Sequence, residues 1–270
     1  MAKSNRSKKS AEQLTHEVAE VLYAAAGVPM PRKYTTAIIA AAGQSTRMGA
    51  GGSKQLMPLC GMPVLAHTLL AYERARSIHE IVVVCREQDI PEIRSIAEDY
   101  GIRKLQAVVR GGETRQESVL CGLRHVSKKT QFVAIADGAR CLTTPQQIEE
   151  ICRVAYKTRA ASAATPVTDT VKRADRYGRI TETVDREQLY LAQTPQIFDF
   201  NLYHAAAYYA LENKFSATDD NSLVEFINHP VRLVDCGREN IKITTPVDLI
   251  FAEAILRDRA AKQAATEEDR

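Results

Sequence analysis

The sequence predicts an α/β protein: a mostly parallel sheet with helices on both faces. Three observations predict it. From Tyr34 onward, short β-branched or apolar runs alternate with longer amphipathic ones. The short runs are bounded by turn residues, and the longer ones place apolar side chains at helical spacing. Alternation of this kind calls for crossover connections between parallel strands, which cover both faces and give a Rossmann-like core. Two additions are expected outside that core, a projecting β-arm and an N-terminal helical extension.

The extension covers residues 1–33. Leu14, Val18, Val21, Leu22 and Ala25 share one face of a helix over 11–26, and Gly27, Pro29 and Pro31 stop it. Strands are expected at 35–41, 80–85, 104–109 and 131–136, each short and rich in Ile and Val. Helices fall between them at 62–77, 89–100 and 115–126; in the first, Leu65, Leu69 and Tyr72 mark a core face. A helix at 148–159 then leads to a strand at 161–167. Residues from about 168 to 190 break the rhythm. They are polar and charged, with strand-like alternation through Thr170, Val171 and Lys172 and again over 180–184, on either side of Tyr177 and Gly178. That pattern reads as a hairpin arm projecting from the body. A two-stranded arm has little core of its own, so either a second subunit packs against it or it is a solvated loop. Helices at 201–213 and 219–227, a strand at 231–234 and a last helix from Pro246 complete one domain over 34–262. A charged tail, 263–270, follows.

With 270 residues, 45% hydrophobic and 26% charged, the chain is long enough for one large domain with a substantial core. No run approaches the roughly 18 consecutive apolar residues of a membrane span, and no apolar secretory core follows the basic start. A bacterial cytoplasmic protein is expected. Cys60, Cys85, Cys121, Cys141, Cys152 and Cys236 form no C-x-x-C and have no His pair at metal spacing, the pattern of reduced thiols. The formal charge of +3 is concentrated in the extension, where Lys3, Arg6, Lys8, Lys9, Arg32 and Lys33 face only Glu12, Glu17 and Glu20; the rest of the chain is neutral. A protein that grips a long phosphate backbone carries its basic excess on the folded domain, so nucleic-acid binding is disfavoured. Any bound anion is met by a few specific cations.

The strongest local signal stands at the end of the first strand: Ala40, Ala41, Ala42 and Gly43, then Gln44, Ser45, Thr46, Arg47, Met48 and Gly49. Small residues let backbone approach a ligand closely, and consecutive N–H groups in such a turn make an anion-binding nest. Arg47 adds a fork of donors suited to phosphate oxygens. Lys54 and Gln55 follow after Gly51 and Gly52. The loop is neither G-x-G-x-x-G nor a P-loop. Taken alone, it also fits a turn bearing surface charges.

The stretch A-A-G-x-x-x-R-M followed by K-Q resembles the opening signature of the 2-C-methyl-D-erythritol 4-phosphate cytidylyltransferases. Five further segments resemble that family in its order: G-G-E-T-R-Q-E-S-V from Gly111, P-V-T-D-T-V-K from Pro166, T-V-D-R from Thr183 with T-P-Q from Thr194, Thr218-Asp219, and N-I-K-I-T from Asn240. The resemblance spans residues 35 to about 255. One segment departs: the family's H-D-A-A-R-P is Ala136-Asp137-Gly138-Ala139-Arg140-Cys141 here. The aspartate and arginine survive, so the departure bears on the rigidity of the loop more than on its charges.

The resemblance implies attack of a substrate phosphate oxygen on the α-phosphorus of CTP, expelling pyrophosphate. Chemistry of this kind rests on in-line positioning and on cations where charge gathers. Catalytic roles fall to Arg47, Lys54 and Lys242. Ala41, Ala42, Gly43, Gly112, Glu113 and Ser118 line the nucleotide, and Arg115 and Ser118 share a helix face. Asp137, Arg140, Thr170, Arg186, Thr194 and Thr218 meet the sugar-alcohol phosphate, and Asp137 holds Mg2+ or another divalent cation. Without the resemblance, Asp137 reads as a turn residue before Gly138 and Arg186 as an exposed ion-pair member. In the family the arm reaches a partner, so a homodimer with shared sites is implied. Two alternatives stay open: a cytidylyltransferase acting on ribitol 5-phosphate, and a nucleotide-binding homologue without catalysis.

Overall fold

The computed structural model describes residues 33–43 and 53–268, so the helix expected over 11–26 and the side chain of Arg47 lie outside the described residues. The first half of the domain alternates as expected: β1 (Thr35–Ala40), α1 (Val64–Arg74), β4 (Ile78–Cys85), α2 (Ile90–Asp99), β5 (Leu105–Arg110), α3 (Arg115–Leu123) and β6 (Phe132–Asp137). A small hairpin, β2 (Pro58–Leu59) with β3 (Met62–Pro63), precedes α1 and takes up two residues expected to be helical. The second half holds α4 (Pro145–Thr158), β7 (Ala160–Pro166), β8 (Val171–Ala174), β9 (Ile180–Val184), β10 (Tyr190–Asp199), α5 (Phe200–Glu212), α6 (Asp220–Phe226), β11 (Arg232–Asp235) and α7 (Pro246–Glu268). The last helix therefore continues through residues expected to form a charged tail.

Seven strands form one sheet in the order β11-β7-β10-β6-β1-β4-β5. Every neighbouring pair is parallel except the two made by β10, which runs antiparallel between β6 and β7. The sequence reading missed β10. Its first three residues are exposed and burial begins only at Gln193; Pro195 then breaks the run, and the register against β7 shifts between Ala192 and Gln196.

Alternation along β1 shows why both faces need helices. Ala37 and Ile39 pack against Leu65, Leu69 and Tyr72 of α1 and Ile148 and Ile151 of α4. Ile38, pointing the other way, packs with Val119 and Leu123 of α3 and Tyr203 and Ala206 of α5. A third cluster sets Ile243 and Ala252 against Leu59, Val64, Cys141 and Leu142, which fastens α7 over the loop after β6. The arm forms as expected: β8 and β9 pair antiparallel as a separate two-stranded sheet. No helix among the described residues is long and apolar enough to cross a membrane.

Candidate active site

The C-terminal ends of the parallel strands lie side by side, with Ala40 in register with Val84 on one flank and Asp137 on the other. Ligands of open α/β sheets bind at this edge. A cleft of about 520 Å3 opens there. Its walls include Ala42 and Gly43 from the β1 exit, Lys54 and Gln55 from the loop that follows, Gly112, Glu113 and Ser118 from the turn into α3, Asp137, and Lys242 from the segment before α7. Two cations far apart in sequence, Lys54 and Lys242, thus share one cavity.

Other expected residues sit differently. Ala41 turns its side chain into the core and its N–H donates to the Val84 carbonyl at 2.7 Å, because alternation at the strand end points Ala40 and Ala42 into the cleft instead. Thr194 is buried, and its Oγ1 accepts the N–H of Asp137 at 3.0 Å, so it acts on the backbone of Asp137. The guanidinium of Arg140 donates from Nη1 to the Asn240 carbonyl at 2.6 Å, with Nε 3.7 Å from Asp137. Thr170, Arg186 and Thr218 are exposed and do not line the cleft within one chain. Arg186 donates to the Thr168 carbonyl at the base of the arm.

Asp137 is the electrostatic centre. Lys242 Nζ lies 2.8 Å from Oδ2 and Arg115 Nε 3.5 Å from Oδ1. Burial alone would raise the proton affinity of this carboxyl, but Lys242 and Arg115 outweigh it and hold it below the ordinary carboxylate range. Arg115 is itself gripped from behind: Nη1 meets Asp220 Oδ2 at 2.5 Å, and Tyr203 donates to the other oxygen of Asp220. Burial works against the charge on Arg115, yet Asp220 and Asp137 keep it protonated. Asp220 shows the reverse balance, since full burial raises its pKa despite Arg115 and Tyr203. Arg115 was legible as part of G-G-x-x-R; Asp220 and Tyr203 carried no sequence signal for this role.

The turn into α3 satisfies its own exposed N–H groups. Thr114 caps the helix, its Oγ1 accepting the Glu117 N–H at 3.1 Å, while Glu117 Oε2 accepts the N–H groups of Glu113 and Thr114 at 2.8 and 3.0 Å. The helix start already holds a carboxylate, so a phosphate gains little there. The Ser118 hydroxyl donates to the Thr114 carbonyl at 2.8 Å and fixes the turn from inside.

The departure at 136–141 is accommodated. Ala136 is in the core, and the Gly138 N–H donates to the Ala40 carbonyl at 2.9 Å. A Cβ on Gly138 would meet Leu65, the Ala40 oxygen and Ala41 at 3.2–3.3 Å, so glycine relieves a close approach. The Ile243 N–H donates to the Ala139 carbonyl at 2.9 Å and ties the loop down.

As for a divalent cation, no cluster of three or more His, Cys, Asp or Glu suited to a metal occurs among the described residues. A single ionised carboxylate facing an anion cleft does fit Mg2+, which binds through one or two carboxylates while phosphates and water supply the rest.

Comparisons with known proteins show the family. The family model described as 2-C-methyl-D-erythritol 4-phosphate cytidylyltransferase matches residues 35–258. The chain is 42% identical over 229 residues to the protein of that name from Pelotomaculum thermopropionicum, covering 84% of this chain and 96% of that one. It is 45% identical over 219 residues to its counterpart from Parasynechococcus marenigrum, covering 81% and 96%. Among solved structures, 4-diphosphocytidyl-2C-methyl-D-erythritol synthase from Anaerococcus prevotii is similar with a TM-score of 0.74 at 33% identity, covering 83% of this chain and 96% of that one. The cytidylyltransferase structure from Thermus thermophilus gives 0.68 at 32% identity, covering 83% and 99%.

Proposed function

The chain belongs to the 2-C-methyl-D-erythritol 4-phosphate cytidylyltransferase family, and from that premise we propose how its own residues carry the reaction. The reaction transfers CMP from CTP to 2-C-methyl-D-erythritol 4-phosphate and releases pyrophosphate, a step of the non-mevalonate route to isoprenoid precursors. A phosphate oxygen of the acceptor attacks the α-phosphorus. The new O–P bond forms as the bond to the bridging oxygen breaks, and pyrophosphate leaves with that electron pair.

Gly112, Glu113 and Ser118 bind the cytidine end, where Glu117 already fills the helix start. Lys54, with Arg47, binds the triphosphate and neutralises the charge that builds on the leaving group. Lys242 binds the α-phosphate and stabilises its equatorial oxygens. Asp137 orients Lys242 and would hold Mg2+; when bound, that ion draws charge from the phosphate oxygens. Thr194 holds the Asp137 backbone in place. Arg140, Thr170, Arg186 and Thr218 bind the acceptor, those near the arm acting across a homodimer. The observation that carries this reading is the convergence of Lys54 and Lys242 on one cleft, with Lys242 Nζ 2.8 Å from Asp137.

Pyrophosphate release from CTP and Mg2+, measured with methylerythritol phosphate and separately with ribitol 5-phosphate, tests it. Methylerythritol phosphate is expected to support turnover at least about tenfold better in kcat/KM. A preference for ribitol phosphate, or no release with either acceptor, would overturn the assignment.

A further inference from the structure

Asn240 has no exposed surface, and none of its polar side-chain atoms is idle. Its Nδ2 donates to Gln193 Oε1 at 2.9 Å and to the Thr194 carbonyl at 3.1 Å, both on β10. Its Oδ1 accepts from the Thr143 hydroxyl at 2.8 Å, at the end of the loop after β6. Its own carbonyl accepts Arg140 Nη1. Two donors and an acceptor on one planar amide match two carbonyl-type oxygens and a hydroxyl, a set that aspartate and leucine of similar size cannot match. Three residues on, Ile243 is fully buried against Val64 and Leu142, and its N–H is bound to Ala139. The segment 240–243 is therefore nailed at both ends. Between the nails stand only Ile241, packed against the α7 cluster, and Lys242, turned to Asp137.

We propose that Asn240 is a positioning residue that sets the reach of Lys242 to Asp137 and to the α-phosphate. The proposal rests on the reading of Lys242 given above. The same amide binds the Thr194 carbonyl, and the Thr194 hydroxyl binds the Asp137 backbone, so both ends of the Lys242–Asp137 pair refer to one fixed point. A lysine on a flexible four-carbon stem has no geometry of its own, and a displacement of about 1 Å in such a site can cost on the order of a hundredfold in rate.

A double-mutant cycle in the full chain, read by pyrophosphate release, separates positioning from general stability. Asn240→Ala is expected to lower kcat about ten- to a hundredfold while KM for CTP changes less than about threefold. In a Lys242→Ala background the same substitution should cost less than about twofold further, because the group it positions is gone. Thr143→Val removes the hydroxyl that meets Asn240 Oδ1 and the Arg140 carbonyl, and provides a second cycle should Asn240→Ala fail to fold; a severalfold kcat loss, absent in the Lys242→Ala background, is expected. Equal losses in both backgrounds would overturn the proposal and leave Lys242 in its role. Normal turnover by Lys242→Ala alone would remove Lys242 from the mechanism, and this proposal with it.

Discussion

One carboxylate, Asp137, faces Lys242, Arg115 and Arg140, while Arg115 also answers to Asp220 behind it. The depressed pKa of Asp137 makes a pH prediction with a definite sign. A carboxyl that is more acidic folded than unfolded stabilises the fold above its unfolded pKa, and that contribution fades as pH falls through the folded value. Asp137→Asn should therefore cost on the order of 3 kcal/mol near neutrality, since it leaves Lys242 and Arg115 against a neutral amide. Urea denaturation of both proteins should show this gap closing below about pH 4. A gap that stayed constant to about pH 2 would mean that Asp137 is not ionised against these cations in the folded chain. Lys54 was legible as a cation in the glycine-rich loop that follows a strand end, while Asp137 and Lys242 were legible only through the resemblance to the family's motifs. Asp220 and Asn240 were not, because a buried amide or carboxylate acquires a role only from neighbours that the fold brings up.

Helix α3 shows how an element transmits packing to the site. Gly122 lies against the sheet, where an added Cβ would come within 2.7 Å of Ile38 Cγ2 and 2.9 Å of Val84 Cγ2. Helix propensity alone would favour alanine by about 1 kcal/mol. Here the strands behind the helix cannot retreat, because Ile38 and Val84 are fully buried in the centre of the sheet. Gly122→Ala should thus destabilise by about 1–3 kcal/mol, seen as a lower Tm. It should also raise KM for CTP, since the first turn of α3 carries the capped loop proposed to receive the cytidine. A higher Tm would show that α3 can lift off without penalty. Most elements were legible in the sequence for the same reason that this glycine matters: buried parallel strands and amphipathic helices leave strong periodic marks. Strand β10 left none. Its early residues face solvent and Pro195 interrupts the rest, so its antiparallel place between β6 and β7 follows from tertiary pairing.

At the scale of the molecule, the arm displays apolar surface that its own chain leaves uncovered: Tyr177 and Ile180 are about two-thirds exposed, and Leu191 beyond it is 60% exposed. With Thr170 and Arg186 on the same projection and absent from the cleft of their own chain, a site completed by two chains accounts for both facts. If Lys54 serves its own chain's cleft and Arg186 serves the partner's, two inactive variants can rescue each other. Lys54→Ala and Arg186→Ala homodimers should each have lost turnover. Unfolded together at equal concentration and refolded, half of the dimers are mixed, and each mixed dimer holds one intact site, so about a quarter of wild-type activity should return. If Arg186 instead acts within its own chain, every mixed site lacks one residue or the other only as its own chain does, and refolding restores nothing. Sedimentation of the wild-type chain as a monomer at assay concentration, with full turnover, would remove the shared site altogether. A return of activity would also give the arm its role, since a two-stranded hairpin with so little core of its own is marginal in water and gains stability from a surface that covers its apolar side.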